Sequence, residues 1–260
     1  MADRLARLAG THEMRLLAVI VVLGAYLSFA SPGFFTLQNL SDLLTSYAFS
    51  GILAVGLLVV LVSGKIDISF TATASIAQYA AILLGNAHPE IGPFGVFAVA
   101  AVIGTALGLI NAVLVSGLNM SSIIVTIATL NVFYGLLIFV TGGKYIFSLP
   151  PDLSAGIYWV VHTDAAGNDY AINLQMVALF AMFALTWPLL RLTSIGRQIY
   201  AVGSNSDAAR RVGFSLFRIN LFVFGFMGFA AGIASIVQAQ LAQTVMPMVL
   251  VGRELDVLAA

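Results

Sequence analysis

The stretch LVSGKIDISF, residues 61–70, places Lys65 and Asp67 between two long uncharged runs. Side chains two residues apart point in nearly opposite directions on a helix, but they share a side on an extended segment. The two charges can therefore assist each other only where the helix is interrupted. Gly64 supplies the backbone freedom for such a break.

Two placements fit this break. It is either a short loop on the cytoplasmic side of a membrane, or the middle of a discontinuous helix near 62–70 that lines a cavity inside the membrane, as in many transporters. In both cases we expect Asp67 or Ser69 to cap the following helix by accepting from its free amides.

The composition indicates that lipid is the solvent of this chain. Of 260 residues, 60% are hydrophobic and 8% are charged, against about 25% charged in an ordinary soluble domain. The formal charge is zero, so nothing in it favours nucleic acid as a partner. The sequence has no cysteine, which excludes disulfides and thiolate metal sites.

The sequence offers no catalytic or cofactor motif. The Gly64-Lys65 pair is not a P-loop, because that motif needs a glycine and a hydroxyl where the chain has Val59 and Ile66. The three histidines lie far apart, in no metal-ligand spacing, and no nucleophile and base pair stands at a useful position. We therefore expect no enzyme, no metal site and no cofactor bound by this chain.

Uncharged intervals mark the candidate membrane spans. Hydrocarbon about 30 Å thick needs about 20 apolar residues per helix, and a charge at its centre costs about 2.5 to 3.5 kcal/mol. The interval 91–143 is too long for one crossing and is divided near Asn119. We predict an all-α, polytopic transmembrane bundle that forms one domain over 1–260. Its seven spans are approximately 14–31, 44–62, 69–86, 93–116, 121–141, 171–190 and 219–240.

Lys and Arg predict the orientation, because they favour the cytoplasmic side. A cytoplasmic N-terminus leaves only Lys144 and Arg253 outside. The nine basic residues then inside are Arg4, Arg7, Arg15, Lys65, Arg191, Arg197, Arg210, Arg211 and Arg218. The first span has an alternative as a cleaved signal peptide, but it is longer than the usual apolar region of about 7 to 15 residues. We expect a retained anchor.

A second polar feature lies in SSIIVTIATLN, which ends at Asn131. Ser122, Thr126 and Thr129 are spaced to share one helical face. That face either lines a passage for a hydroxylated solute, or its hydroxyls bond to their own helix or to a neighbouring one. Gln238, near the end of the seventh span, has the same two interpretations.

The longest inner loop is TSIGRQIYAVGSNSDAARRVGFSLFRIN, residues 193–220. A capping residue among 204–206, an acidic first turn and a basic last turn predict a helix of about two turns between glycine breaks at Gly203 and Gly213. So short a helix is not stable alone. It therefore favours a docking surface for a partner, the alternative being a basic loop that faces anionic lipid.

Four motifs resemble one family and follow its order along the chain. This family comprises the permease subunits of bacterial ATP-binding cassette importers of the ribose, xylose and arabinose type, in the branched-chain amino-acid and sugar permease superfamily. GRQIYAVGSNSDAARRVGF resembles their cytoplasmic coupling loop, and SGKIDIS resembles their GGIDLS signature. IIVTIATLNVFYGLLIFVTGG is similar to their F-I-V-T-L-G-T segment ending in T-G-G, and GRELDVLAA to their Y-E-L-D-A-I-A-A. The resemblance covers nearly the whole chain.

The resemblance implies a subunit of an ATP-driven monosaccharide importer in the bacterial cytoplasmic (inner) membrane. Two permease subunits, identical or different, would form the pathway in the lipid bilayer. A cytoplasmic ATPase, which carries ATP and Mg, would dock on the coupling loops, and an extracytoplasmic binding protein would deliver the sugar.

The resemblance also implies roles for single residues, with 191–218 as the cytoplasmic coupling loop. The docking residues are Gly196, Arg197, Ala201, Gly203, Asn205, Ala208, Ala209, Arg210 and Gly213. The candidate pathway or signature residues are Gly64, Lys65, Asp67, Ser69, Ser122, Thr126, Thr129, Asn131 and Gln238.

Two departures from the family pattern stand out. Lys65 replaces the usual glycine, and the family continues past the ELDVLAA match whereas this chain stops at Ala260. We therefore expect the C-terminal part of the family fold to be missing from these residues. Two other functions stay open: an ion-coupled secondary transporter, for which Asp67 is the nearest candidate carboxylate, and a membrane scaffold that transports nothing.

Overall fold

Helices make up almost all of the ordered structure. The computed structural model describes residues 12–31, 33–163 and 169–259, and within them it has eleven α-helices and two strands. In chain order these are α1 (His12–Ala30), α2 (Leu37–Val62), α3 (Phe70–Ala87), α4 (Gly92–Gly117), α5 (Ser122–Thr141), α6 (Pro151–Ser154), β1 (Tyr158–Thr163), β2 (Asp169–Asn173), α7 (Leu174–Leu192), α8 (Ser194–Ser204), α9 (Ser206–Arg211), α10 (Leu216–Ala242) and α11 (Glu254–Ala259).

Seven of these helices lie at the seven predicted spans, and the prediction of an all-α polytopic bundle is confirmed. By length and composition, five described helical stretches can cross a membrane: Leu37–Val62, Pro89–Gly117, Ser122–Thr141, Leu174–Leu192 and Leu216–Ala242. The helices α1 and α3 lie at the first and third predicted spans, but they are not among the five that are both long enough and apolar enough. The predicted start of the sixth span at 171 is wrong, because Asp169–Asn173 pairs with β1 and the helix begins only at Leu174.

The described residues fall into two compact units. The smaller unit takes the described parts of Met1–Leu43 and Val161–Ala171, and the larger takes those of Leu44–Val160 and Ile172–Ala260. In the smaller unit, α1 exposes apolar side chains all round, Ile20 and Val22 among them. A helix that is apolar on every side needs an apolar environment, so lipid suits α1 better than water.

The larger unit is centred on the antiparallel pair α4 and α10, whose backbones approach closely. A Cβ atom at Gly104 would overlap the carbonyl oxygen of Gly228, and one at Gly108 would overlap that of Phe224. Gly232 continues the same contact one turn further along α10. Such close approach at small residues is typical of helix packing in membranes.

Contacts define two ends of the larger unit. At one end, which we call the loop end, lie residues 118–121 and 193–215; Asn220 donates to Ser116 there over 2.9 Å. At the far end, the segment after α5 meets the segment after α10 through paired backbone bonds between Ile146 and Val245.

The chain after α10 turns back into the bundle. Leu250 and Val257 belong to the same buried core as α2. The guanidinium of Arg253 lies 5.7 Å from the centre of the Phe49 ring, near the middle of α2, and it donates to Gln238 over 3.5 Å. Arg253, expected in an outer loop, is partly exposed and lies on this returning segment beside α2.

Replacing Gly228 tests the close packing of α4 and α10. We expect Gly228→Ala to lower the free energy of unfolding by about 1–3 kcal/mol, because the added methyl group forces apart two backbones that cannot repack as side chains do. Gly135→Ala is the matched control, since nothing lies within 4 Å of a Cβ placed there. Thermal unfolding in detergent measures both, and equal stability of the two variants would contradict the packing described.

Candidate functional site

The break after α2 is a defined helix end. Gly64 has a φ of +76°, its amide donates to Leu61 O over 2.9 Å, and the amide of Lys65 donates to Val60 O over 3.3 Å. This pair of bonds is the Schellman arrangement, in which a left-handed glycine satisfies the last carbonyls of a helix. The predicted interruption at Gly64 is confirmed.

Residues 65–69, which we call the extended segment, join α2 to α3 without forming helix or strand, and two of their amides find partners on α5. The amide of Ile66 donates to Ser122 Oγ over 3.1 Å, and that of Ile68 donates to Thr126 Oγ1 over 3.2 Å. The spacings match, because alternate residues of an extended chain are about 6.6 Å apart and one helical turn rises about 5.4 Å. The hydroxyls of Ser122 and Thr126 therefore serve a neighbouring segment rather than an open passage.

The extended segment is partly enclosed by the bundle, with Asp67 buried and Lys65 partly exposed. Asn111 donates to Ser69 Oγ over 2.6 Å. Asn111 lies six residues before Gly117, the last residue of α4, which places it about 9 Å from that end. Since α3 begins only at Phe70, the described geometry fits the discontinuous helix better than a surface loop.

Asp67 is buried, and its carboxylate points forward to Ser69, just before the start of α3. Its Oδ1 accepts from the amide of Ser69 over 2.8 Å and from Ser69 Oγ over 2.7 Å. Ser69 is the N-cap residue of α3, but its side chain accepts no bond from the helix amides, so the predicted capping by Ser69 is absent. In the described residues no ion pair joins Asp67 to Lys65, which is partly exposed. The buried Asn111 Oδ1 has no hydrogen-bond partner among them either.

The remaining predicted pathway residues lie away from this break. Thr129 donates to Thr126 O over 3.2 Å, and the exposed Asn131 donates to Ile127 O over 2.8 Å, so both bond to their own helix. Gln238 accepts from Arg253 of the returning segment.

A polar face on α3 escaped the sequence analysis. Thr71, Ser75 and Gln78 lie at helical spacing, and all three are buried. Thr71 Oγ1 donates to Glu254 Oε1 on α11, and Gln78 Nε2 donates to Ser235 O on α10 over 2.6 Å. The signal was present as hydroxyls and an amide four and three residues apart, but alanines around them made the stretch resemble ordinary helix packing.

The loop that was predicted to hold one short helix holds two. The helix α8 begins at Ser194, where Thr193 Oγ1 accepts from the amide of Gly196 over 3.1 Å. Its buried side carries Gly196, Ile199 and Val202. A Cβ at Gly196 would overlap the carbonyls at the end of α7, which brings α8 against the bundle.

Gly203 fastens α8 to the break after α2. A Cβ at Gly203 would overlap the carbonyl oxygen of Val62, and one at Gly64 would lie 3.4 Å from Gly203 Cα. The predicted helix break lies one residue beyond Gly203, because α8 ends at Ser204. Gly203 is small so that two backbones can touch, and this contact joins the loop directly to the discontinuous segment.

The helix α9 agrees with its prediction. Asn205 caps it by accepting from the amide of Ala208 over 2.9 Å, and Gly213, at a φ of +92°, ends it. Ala209 packs into the core. Arg197, Asn205, Ala208 and Arg210 are exposed, whereas Ala201 is partly buried. The segment thus has one face against the bundle and a polar, basic face without cover in the described residues.

The family model of the branched-chain amino acid transport system permease component matches residues 39–260. The chain belongs to this permease family. The ribose import permease protein RbsC of Haemophilus influenzae is 31% identical over 251 residues, covering 95% of the chain and 75% of that protein. RbsC of Escherichia coli K12 is 28% identical over the same shares. The autoinducer 2 import system permease protein LsrC of Yersinia pseudotuberculosis is 31% identical over 88% of the chain and 62% of that protein. No solved structure matches the chain.

The matched region contains the break, α8, α9 and the returning segment. The permease is a multi-pass membrane protein, and its family is one of transport components. The roles of the single residues in transport stay predictions.

Thr126 tests how the permease holds its extended segment. Thr126→Val keeps a branched side chain but leaves the partly buried amide of Ile68 without its acceptor, so we expect a loss of about 1–3 kcal/mol in the free energy of unfolding. Thr126→Ser retains a hydroxyl and is the matched control. Unfolding in detergent, with hydrogen exchange at residues 65–69, measures the effect. Equal stability and exchange in both variants would show that Thr126 does not hold the segment.

Proposed function

We propose that this permease forms the translocation pathway of an ATP-driven monosaccharide importer and couples that pathway to a separate cytoplasmic ATPase. The observation that carries the proposal is the backbone contact between Gly203 and the break at Val62 and Gly64. A loop that displays an exposed, capped helix is thereby connected to a discontinuous segment inside the bundle. The ribose import relatives support a monosaccharide as the cargo class.

The exposed face of α8 and α9 is the docking surface for the ATPase. With six residues, α9 is too short to persist by itself. Its cap at Asn205, its end at Gly213 and the burial of Ala209 hold it in place while Arg197 and Arg210 remain exposed. An ATPase surface with acidic and polar groups complements this face.

Motion of the ATPase would reach the pathway through the contact of Gly203 with Gly64. Because both residues lack side chains, no flexible group lies between the two backbones to absorb a displacement. A shift of α8 therefore moves the start of the extended segment 65–69. That segment carries Asp67 and contacts α5, so the shift changes how α3 and α5 pack.

We place the loop end in the cytosol, with the N-terminus on the same side. Five exposed arginines support this orientation, since basic residues favour the cytoplasmic side. They are Arg191, Arg197, Arg210, Arg211 and Arg218. A binding protein then delivers sugar at the far end, and a second permease subunit, identical or different, completes the pathway in the inner membrane. ATP and Mg belong to the ATPase.

Asn205 tests the docking surface. Removing an N-cap costs about 1 kcal/mol, a factor of about five in the population of folded helix. We therefore expect Asn205→Ala to lower ATP-driven ribose uptake into proteoliposomes by up to about fivefold, with membrane insertion unchanged. Asn205→Ser keeps a capping oxygen and should transport like the wild type.

The same assay separates this proposal from its alternatives. Full ribose uptake by the Asn205→Ala protein, with the ATPase present only on the side of residue 205, would contradict the docking assignment. Uptake that survives ATP depletion but collapses with a protonophore would instead support an ion-coupled transporter.

A further inference from the structure

We propose that Thr71, Ser75, Tyr134 and Glu254 form a recognition site for hydroxyl groups of the transported solute in the middle of the permease. We call these four residues the hydroxyl cluster. The inference rests on the proposed function and adds to it a place where the pathway itself selects its cargo.

The hydroxyl cluster joins three segments that are distant in sequence. Thr71 Oγ1 donates to Glu254 Oε1 of the returning segment, and Ser75 Oγ donates to Thr71 O over 2.9 Å. Tyr134 on α5 packs against α3 in one cluster with Ala72 and Ile76, the residues that directly follow Thr71 and Ser75. All four residues are buried.

Tyr134 is the decisive member of the cluster. Its residue is only 8% exposed, and its buried hydroxyl has no hydrogen-bond partner among the described residues. Buried polar groups are normally paired, and an exception requires an explanation. A phenylalanine would fill the same space without that cost, as Phe133 does beside it in the same apolar cluster. The unpaired hydroxyl is therefore available to a ligand.

The cluster lies at the depth where a transporter meets its cargo. Tyr134 stands twelve residues after Ser122, the first residue of α5, or about 18 Å along a helix about 30 Å long. Ionisable residues at such depth are costly and usually functional. Substrate sites of transporters lie near the bilayer midplane, beside discontinuous helices, and α3 is discontinuous at its start.

The chemistry of the cluster suits a polyol. A sugar hydroxyl both donates and accepts hydrogen bonds. The carboxylate of Glu254 accepts strongly, and the hydroxyls of Tyr134 and Ser75 can do both. A site with a carboxylate and three hydroxyls discriminates against an analogue that lacks one hydroxyl, because its own buried groups then stay unpaired.

A groove leads from the far end towards the cluster. It has a volume of about 470 Å³ and runs between α3 and α5, within the range of about 300–1,000 Å³ typical of ligand pockets. Its lining includes Ile76, which follows Ser75, and Leu137, one turn beyond Tyr134, with Lys144 towards the far end. The groove thus runs from the side proposed for the binding protein to neighbours of the hydroxyl cluster, although no cluster residue lines it.

Tyr134→Phe tests the inference, because it removes one hydroxyl and keeps the ring. The probes are D-ribose and a set of its singly deoxygenated analogues, taken up by proteoliposomes that contain the whole importer. We expect Tyr134→Phe to raise the KM for ribose about tenfold, with ATP hydrolysis intact. For the analogue that lacks the contacted hydroxyl, the wild type and the variant should transport equally well.

Tyr47→Phe is the matched control, since Tyr47 is exposed on α2, lines neither the groove nor the cluster, and should keep the wild-type KM. Glu254→Gln gives a second measurement and should also raise the KM for ribose, which keeps the test valid if Tyr134→Phe inserts poorly. Unchanged KM values in both variants, or an equal loss for ribose and every analogue, would overturn the hydroxyl cluster. A wild-type importer that takes up none of these sugars would overturn the proposed monosaccharide function as well.

Discussion

The architecture depends on two partly buried backbone amides that no helix or strand of their own segment pairs. Ending α2 at Gly64 leaves the amides of Ile66 and Ile68 in extended chain, where a membrane offers no water to satisfy them. Ser122 and Thr126 accept from both. The spacing of the two hydroxyls along α5 matches that of the two amides, so both amides are paired although the helix is interrupted.

Backbone contacts at small residues also hold the rest of the larger unit together. Glycines on α4 and α10 bring two long helices into backbone contact, and Gly203 brings α8 into contact with the break. Contacts between backbones are stiff, because no side chain can change rotamer to relieve a displacement. The polar face of α3 therefore lies between two stiff contacts. One is the α4 and α10 pair, and the other is the contact of Gly203 with the break after α2.

The sequence predicts those parts that depend on local signals. Helix positions follow from uncharged intervals of about 20 residues, and α9 follows from a capping asparagine and a closing glycine. The interruption at Gly64 is likewise local. The helix α8 was missed because its amphipathic signal, with Ile199 and Val202 on one side, is short and merges with the following loop.

Partners distant in sequence could not be predicted in this way. Ser122 and Thr126 gave a correct helical face, but that they would accept from residues 66 and 68 depends on how α3 and α5 pack. Thr71 and Glu254 are 183 residues apart, and nothing near either residue announces the other. Gly203 was expected to break a helix, because a glycine that allows two backbones to touch cannot be distinguished in the sequence from a glycine that ends a helix.

The central claim is that the loop at α8 and α9 and the extended segment 65–69 move together. Hydrogen exchange of the permease in the complete importer, measured with and without ATP bound to the ATPase, tests this claim most directly. We expect nucleotide binding to change the exchange of the amides of Ile66 and Ile68 along with that of residues 194–213. A change confined to 194–213, with residues 65–69 unaffected, would contradict it.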